Sequence, residues 1–266
     1  MLMRLRPHHP GALKLLTLLI AVLSALIPLA AYAGEPGGAP PASIAINLQL
    51  SGQFGDSAVA VTGSGVVNDN GDFQISLNVT QPSAHTLDLV GSGGVLYASP
   101  DGGAYQAIDL KGGQLASMFG GAALAGCANP AMMGAGVNGL QSLLGPGGML
   151  NPGNLLQPAG TQVVDGVETE HLSAQIDLVQ AAPVIGRIVG GIAAACGLPF
   201  SASDVQNLQT ALAGGTLNID AYLEQPGNFP RRVSVDLNLP AANVQFRFQA
   251  DLTPNDTSSP ILPPGQ

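Results

Sequence analysis

The sequence predicts an α+β fold: about eleven antiparallel strands in one sheet with a single apolar side, and helical segments to cover that side. Three observations predict it. Residues 231–253 alternate with a period of two, as Val233, Val235, Leu237 and Leu239 and then as Val244, Phe246, Phe248, Ala250 and Leu252, which gives each strand one apolar and one polar face. The same alternation recurs in Ile44, Ile46, Leu48 and Leu50 and in Phe73, Ile75, Leu77 and Val79. Between the strand-rich stretches lie segments of another kind, one rich in Gly, Met and Leu and one with helix start and stop signals, which supply material for a cover.

The chain opens with Arg4, Arg6 and Lys14, an apolar run from Leu15 to Ala31, and Ala31-Tyr32-Ala33 before Gly34. A basic start, an apolar middle and small residues three apart are the parts of a secretory signal peptide, so residues 1–33 are set aside from fold reasoning. The competing reading is an uncleaved anchor, since the run is long enough to cross much of a bilayer. Residues 34–42 read as a flexible Pro- and Gly-rich leader, 43–253 as a single domain, and 254–266 as a disordered Pro-rich tail. The expected location is secreted or periplasmic, outside the cytoplasm, or signal-anchored to the membrane.

Three of the eight Lys and Arg fall in residues 1–33, which leaves five against 17 Asp and Glu and a net charge of −12 for the remainder. Such a chain repels nucleic acid, which is excluded as a partner, and gains nothing from an anionic membrane surface. Any lipid it meets is held by apolar contact.

Residues 43–110 read as six short strands with turns at Gly52–Gly55, Asp69–Gly71, Pro82–Ala84, Gly91–Gly93 and Pro100–Gly103. A two-residue Asn70-Gly71 turn would strand Val59, Val61 and Val67 on the polar side. A three-residue loop, Asp69 to Gly71, instead pairs Val67 with Phe73, Gly65 with Ile75, Gly63 with Leu77 and Val61 with Val79, with every large apolar residue on one face. Gly63 and Gly65 then stand opposite bulky neighbours, which means either sheet bending or room for something else.

Residues 112–160 break the pattern with Gly120-Gly121, Met132-Met133 and the run Leu143 to Leu150. Short helices are expected around 113–119 and 137–144. The stretch reads either as a pliable cover that repacks around different contents or as a loose helical layer filling an ordinary core. The hairpin Gln162 to Glu168 carries Asp165-Gly166, a two-residue turn signal. A helix is expected from Leu178 to Ala195, capped by Asp177 and stopped by Gly197 and Pro199, and a second from Ala202 to Ala213, with Ser201 and Asp204 as a capping box. The first is apolar nearly all round, with Arg187 as its only charge, and such a helix is buried. Arg187 either meets an anionic headgroup at a rim or snorkels to a surface carboxylate. Three strands close the chain, with a five-residue turn pairing Leu223 with Val233 and Leu217 with Leu239, and a four-residue turn pairing Leu239 with Val244 and Val235 with Phe248.

Cys127 and Cys196 are the two cysteines. Export to an oxidising compartment favours a disulfide, which would remove roughly 4 kcal/mol of unfolded-chain entropy; two separately buried thiols are the alternative. Without a Cys-x-x-Cys spacing or a neighbouring His, neither a redox motif nor a metal site is expected. Catalytic constellations are missing too. His85 and His171 sit on alternating strands away from any nucleophile signature, and no Gly-x-Ser-x-Gly elbow, P-loop or dinucleotide fingerprint occurs. No cofactor and no enzymatic activity are expected.

The order of elements carries a resemblance. Early strands, a Leu- and Gly-rich middle, the phrase Val164-Asp165-Gly166-Val167-Glu168-Thr169 followed by His171, helices, and then Ala221-Tyr222 through Pro230-Arg231-Arg232-Val233 are similar to the LolA-like, LppX/LprAFG-type lipoprotein carriers of bacterial envelopes, over most of residues 43–253. The resemblance implies an antiparallel half-barrel around a hydrophobic cavity, capped by helices, that binds acylated lipids and shuttles them between membranes. The chain departs from the lipoprotein members by lacking a lipidation cysteine. The expectation is therefore non-catalytic binding and transfer of a lipid or other hydrophobic ligand in the bacterial cell envelope, with a membrane or an envelope protein as a second partner. Ile46, Leu48, Ile75, Leu77, Val235, Phe246 and Phe248 are expected to line the cavity, faced by Ile185, Ile188 and Ile192. A structural or protein-interaction module without a ligand is the alternative.

Overall fold

The computed structural model describes residues 41–109, 155–180, 182, 201–226 and 228–265. Its strands are β1 (Ser43–Phe54), β2 (Ser57–Asn68), β3 (Phe73–Gln81), β4 (His85–Ser92), β5 (Val95–Pro100), β6 (Gln106–Asp109), β7 (Gln157–Val164), β8 (Val167–Asp177), β9 (Thr216–Glu224), β10 (Phe229–Leu239) and β11 (Val244–Asn255). A helix, α1 (Ala202–Ala211), precedes β9, and a 3-10 turn, Pro240–Ala242, joins β10 to β11. All eleven strands form one antiparallel sheet in the order β6-β5-β4-β3-β2-β1-β11-β10-β9-β8-β7. Among the described residues the sheet does not close: β6 and β7 are its two edges, which is the arrangement of a half-barrel. Pairing of the first strand with the last joins two hairpin meanders in the middle of the sheet.

Register follows the apolar pattern. The β2–β3 loop has three residues, and Val67, Gly65, Gly63 and Val61 pair with Phe73, Ile75, Leu77 and Val79 as expected. Gly71 takes φ +86° there, where a side chain would be strained. Asp165 and Gly166 make the expected two-residue turn, both with positive φ. Leu239 pairs with Val244 and Val235 with Phe248, also as expected.

Three expectations need correction. The first turn is Gly55-Asp56, so β1 continues past Gly52 to Phe54, because only Gly55 adopts the left-handed conformation, with φ +62°. Likewise β4 runs on through Gly91 to Ser92, and the left-handed pair is Gly93-Gly94. In the β9–β10 hairpin, Val233 pairs with Ala221 and Leu217 with Leu237, two residues from the expected register. The turn there ends at Asn228, with φ +55°; Phe229 and Pro230 join the ladder, and an irregularity follows between Pro230 and Arg232. A slip of two leaves every side chain on its own face, so alternation alone does not distinguish the two registers.

Asp177 caps a helical turn at residues 178–180 by accepting the Val179 N–H at 2.9 Å. The rest of the helix expected to Ala195, the helices around 113–119 and 137–144, and Cys127 and Cys196 lie outside the described residues. α1 begins with the expected capping box: Asp204 Oδ2 accepts the Ser201 N–H at 2.8 Å, and the Asp204 N–H donates back to Ser201 Oγ at 3.4 Å. It ends at Ala211, two residues before the expected end. Leu178, Ala182 and Leu212 pack with Ile176, Leu217, Leu237 and Leu239 at one end of the apolar face. Gly215 permits that approach, since a Cβ there would fall 2.8 Å from Leu239 Cδ2 and 2.9 Å from Leu212 O.

Beyond β11, residues 257–261 cross the polar face rather than leaving the sheet, and the carbonyls of Thr257, Ser259 and Ile261 accept side-chain hydrogen bonds from three strands. Proline content predicts disorder there, but it says nothing about acceptors that an ordered neighbour can satisfy.

Candidate functional site

The strongest candidate is the apolar face of the open sheet, built by alternation alone. Each lateral row steps across the hydrogen-bonded strands. One runs Ala98, Leu89, Ile75, Gly65, Ile46 and Leu252. The next runs Leu87, Leu77, Gly63, Leu48, Ala250, Val233 and Ala221, and a third Val79, Val61, Leu50, Phe248, Val235 and Ile219. Glycines and alanines interrupt the first two rows, where Ile75 and Leu77 lie over Gly65 and Gly63 beside them, whereas the third row is of large residues throughout.

The sequence-derived residues Ile46, Leu48, Ile75, Leu77, Val235, Phe246 and Phe248 all belong to this one cluster. Leu48, Ile75, Leu77, Phe246 and Phe248 are buried, Phe248 completely, while Ile46 and Val235 are partly buried at its margin. Every described member of the cluster sits on a strand. Ile185, Ile188 and Ile192, expected to face them, lie outside the described residues. Leu50, Val61, Leu89, Leu96 and Ala250 join the cluster as well; the period-two signal marks them as clearly as those chosen, and only their paired neighbours show how central they are.

The glycines divide the two readings offered above. A Cβ at Gly63 would fall 2.6 Å from Leu77 Cδ2, one at Gly65 2.3 Å from Gln74 O and 2.7 Å from Ile75 Cγ1, and one at Gly91 2.2 Å from Phe73 Cε1. Their space is therefore filled by β3, whose Phe73, Ile75 and Leu77 lie over neighbouring backbone. The glycines serve close packing of the wall itself.

The opposite face is polar. A shallow hollow of about 580 Å³ lies among Thr62, Ser64, Ser76, Asn78, Thr86 and Asp88, where Ser76 Oγ donates to Asp88 Oδ1 at 2.6 Å. Farther along, His171 stacks parallel on Tyr222 with ring centres 4.5 Å apart and approaches Asp220 at 2.8 Å. Partial burial, then the Asp220 charge, pushes the Tyr222 phenol up from its ordinary value. Arg232 pairs with Asp251, and Gln249 donates to the same carboxylate. His85 approaches Asp101 at 3.1 Å on the exposed surface. Both histidines thus sit beside aspartates, His171 on the polar face and His85 at the exposed start of β4 opposite Val79, with no nucleophile among these contacts. Among the described residues there is no group of three or more His, Cys, Asp or Glu placed to hold a metal ion, and no helix long and apolar enough to cross a membrane.

No protein-family model and no curated protein matches the chain. Among solved structures it is similar to lipoprotein LppX of Mycobacterium tuberculosis, with 12% identity over 83% of this chain and 90% of that one and a TM-score of 0.44. It is also similar to LprF of Mycobacterium bovis, with 15% identity, coverage of 84% and 90%, and a TM-score of 0.41. A putative outer membrane lipoprotein-sorting protein domain from Vibrio parahaemolyticus gives 7% identity, coverage of 88% and 93%, and a TM-score of 0.27. These are the kinds of protein to which the sequence resemblance points. At such identities and TM-scores the likeness carries no argument about a ligand, and the functional reading rests on the face itself.

Proposed function

We propose that this chain binds a lipid or similar acyl-bearing hydrophobic ligand against the apolar face of its open sheet. It carries that ligand, without chemistry, outside the cytoplasm of a bacterial envelope, as a domain spanning 43–253 behind the signal of residues 1–33. The single observation that carries the reading is the extent of the apolar face: one cluster covers β1 to β5, β10 and β11, and a second, which shares Leu237 with it, reaches β8 and β9. A wall of that extent needs an apolar cover, and an acyl chain is a cover that can leave.

Energetics set the demand on such a carrier. Each buried methylene contributes about 0.8 kcal/mol, so a sixteen-carbon chain contributes roughly 13 kcal/mol before ordering costs. Full enclosure in a rigid wall would make release slow. Transfer therefore requires one side of the site to repack, and the wall formed by β1–β4 and β10–β11, with its glycines filled, is the rigid side. The cavity-lining roles of Ile46, Leu48, Ile75, Leu77, Val235, Phe246 and Phe248, with Ile185, Ile188 and Ile192 opposite, are part of this proposal, as is a Cys127–Cys196 disulfide.

The test is to purify the full chain after export, extract it with organic solvent and analyse the extract by mass spectrometry, alongside titration with an environment-sensitive apolar fluorophore. The expected result is a stoichiometric acyl lipid that the fluorophore displaces or competes with. An empty extract together with no fluorophore binding would overturn the carrier reading and leave a structural module of the envelope.

A further inference from the structure

The C-terminal segment offers a second inference, independent of any ligand. Ser43 at the start of β1, Asn68 at the end of β2 and Ser92 at the end of β4 alternate with Ile44, Val67 and Gly91, so all three side chains point to the polar face. They donate to alternate carbonyls of the segment that follows β11. Ser43 Oγ reaches Thr257 O at 2.8 Å, Asn68 Nδ2 reaches Ser259 O at 3.0 Å, and Ser92 Oγ reaches Ile261 O at 3.0 Å. Donors on β1, β2 and β4 matched to every second carbonyl mean an extended segment laid across the strand ends, passing over β3. Pro260, Pro263 and Pro264 favour that extended form and remove N–H groups that would otherwise need partners.

We infer that the polar face carries a docking row for an extended peptide, made of Ser43, Asn68 and Ser92, and that the chain's own residues 256–262 occupy it as a releasable strap. Two properties argue for a reversible clasp. Thr257, Ser258, Ser259 and Pro260 are exposed and Leu262 is 56% exposed, so of the strap's apolar side chains only the half-buried Ile261 holds the segment down. Ser43 and Asn68 are buried, whereas Asn47, Gln49, Thr62 and Ser64 on the same face of the same strands are exposed. The row is thus covered where the strap crosses and open elsewhere. Asn68 Oδ1 is buried without a protein partner, which weighs against the docked state. Docked, the strap ties β1, β2 and β4 at one rim; released, it frees those strand ends to spread.

The chain contains no Trp, so Leu262→Trp in the full chain places one reporter on an exposed strap position. High steady-state anisotropy is expected, and Ser43→Ala with Ser92→Ala should lower it. Each lost hydroxyl donor reduces the docked-to-free ratio by roughly two- to tenfold. Ser258→Ala, which removes an exposed hydroxyl outside the row, should leave the signal unchanged. Ser92→Ala alone, at a half-buried strand end, gives a smaller drop and serves if the double variant does not fold. Low anisotropy in the Leu262→Trp parent, no change on removing the Ser92 hydroxyl, or an equal drop with Ser258→Ala would each overturn the inference. None of these readouts depends on whether a lipid binds.

Discussion

Gly65→Ala tests whether the glycines of β2 leave room or are already filled. The added Cβ would lie 2.3 Å from Gln74 O, 2.7 Å from Ile75 Cγ1 and 2.9 Å from Ile75 Cα. Two of those three atoms are backbone, so relief requires β2 and β3 to separate locally and not merely a side chain to turn. Overpacking of this kind costs about 1–3 kcal/mol, offset by about 0.5–1 kcal/mol from the reduced freedom of alanine in the unfolded chain. The net loss is about 1–2 kcal/mol. With a urea slope of about 2 kcal/mol per molar, the unfolding midpoint falls by about 0.5–1 M with the slope unchanged, followed by circular dichroism in the far ultraviolet. Gly63→Ala is the comparison: its closest neighbour is Leu77 Cδ2, the end of a flexible side chain, with Ser76 O at 3.1 Å, so it costs less. A midpoint for Gly65→Ala equal to or above that of the parent, or a larger loss at Gly63, would refute the packing argument.

Three further outcomes follow from the same geometry. Phe248→Ala, which removes the completely buried ring at the centre of the cluster, lowers stability by about 3–5 kcal/mol in the same denaturation assay; a loss below about 1 kcal/mol would mean that the face is not packed. The Asp204 carboxyl is held below its ordinary 3.8 by the Ser201 hydroxyl and N–H, and Asp101 below 3.8 by the Thr86 N–H and then His85. A depressed folded value adds stability above 3.8 that is lost as the pH falls through the lower native value, so the difference between parent and Asp204→Asn should shrink between roughly pH 5 and pH 2. A constant difference over that range would contradict the capping role. Asp251→Ala removes the partner of the partly buried Arg232 and should cost about 1–3 kcal/mol, whereas Arg247→Ala, whose guanidinium is mostly exposed beside Asp236, should cost less than about 1 kcal/mol.

The candidate face was legible because alternation is a local property. Ile46, Leu48, Ile75, Leu77, Phe246 and Phe248 announce their side of the strand two residues at a time, and any other arrangement would expose them. The β2–β3 register was legible for the same reason, since only a three-residue loop gathers Val61 and Val67 with Ile75 and Leu77. The β9–β10 register was not, because a slip of two residues preserves the faces and the decision falls to Asn228 and the irregularity after Pro230. The strap was illegible too: prolines mark a segment that makes no ladder, while its acceptors are met by serines and an asparagine up to 214 positions away.

What the sequence determined by itself is the one-sided antiparallel sheet, its turn residues at Gly71, Asp165 and Gly166, and the capping box at Ser201 and Asp204, all set by interactions within a few residues. The tertiary structure alone decided that β1 pairs with β11, which joins the two meanders into one open sheet. It also decided that the glycines of β2 are filled by β3 and that the C-terminal segment lies across the polar face. Each of those depends on which distant strand arrives beside a residue, and the free energy of that arrival is shared by the whole face, with no single stretch of sequence to carry its signature.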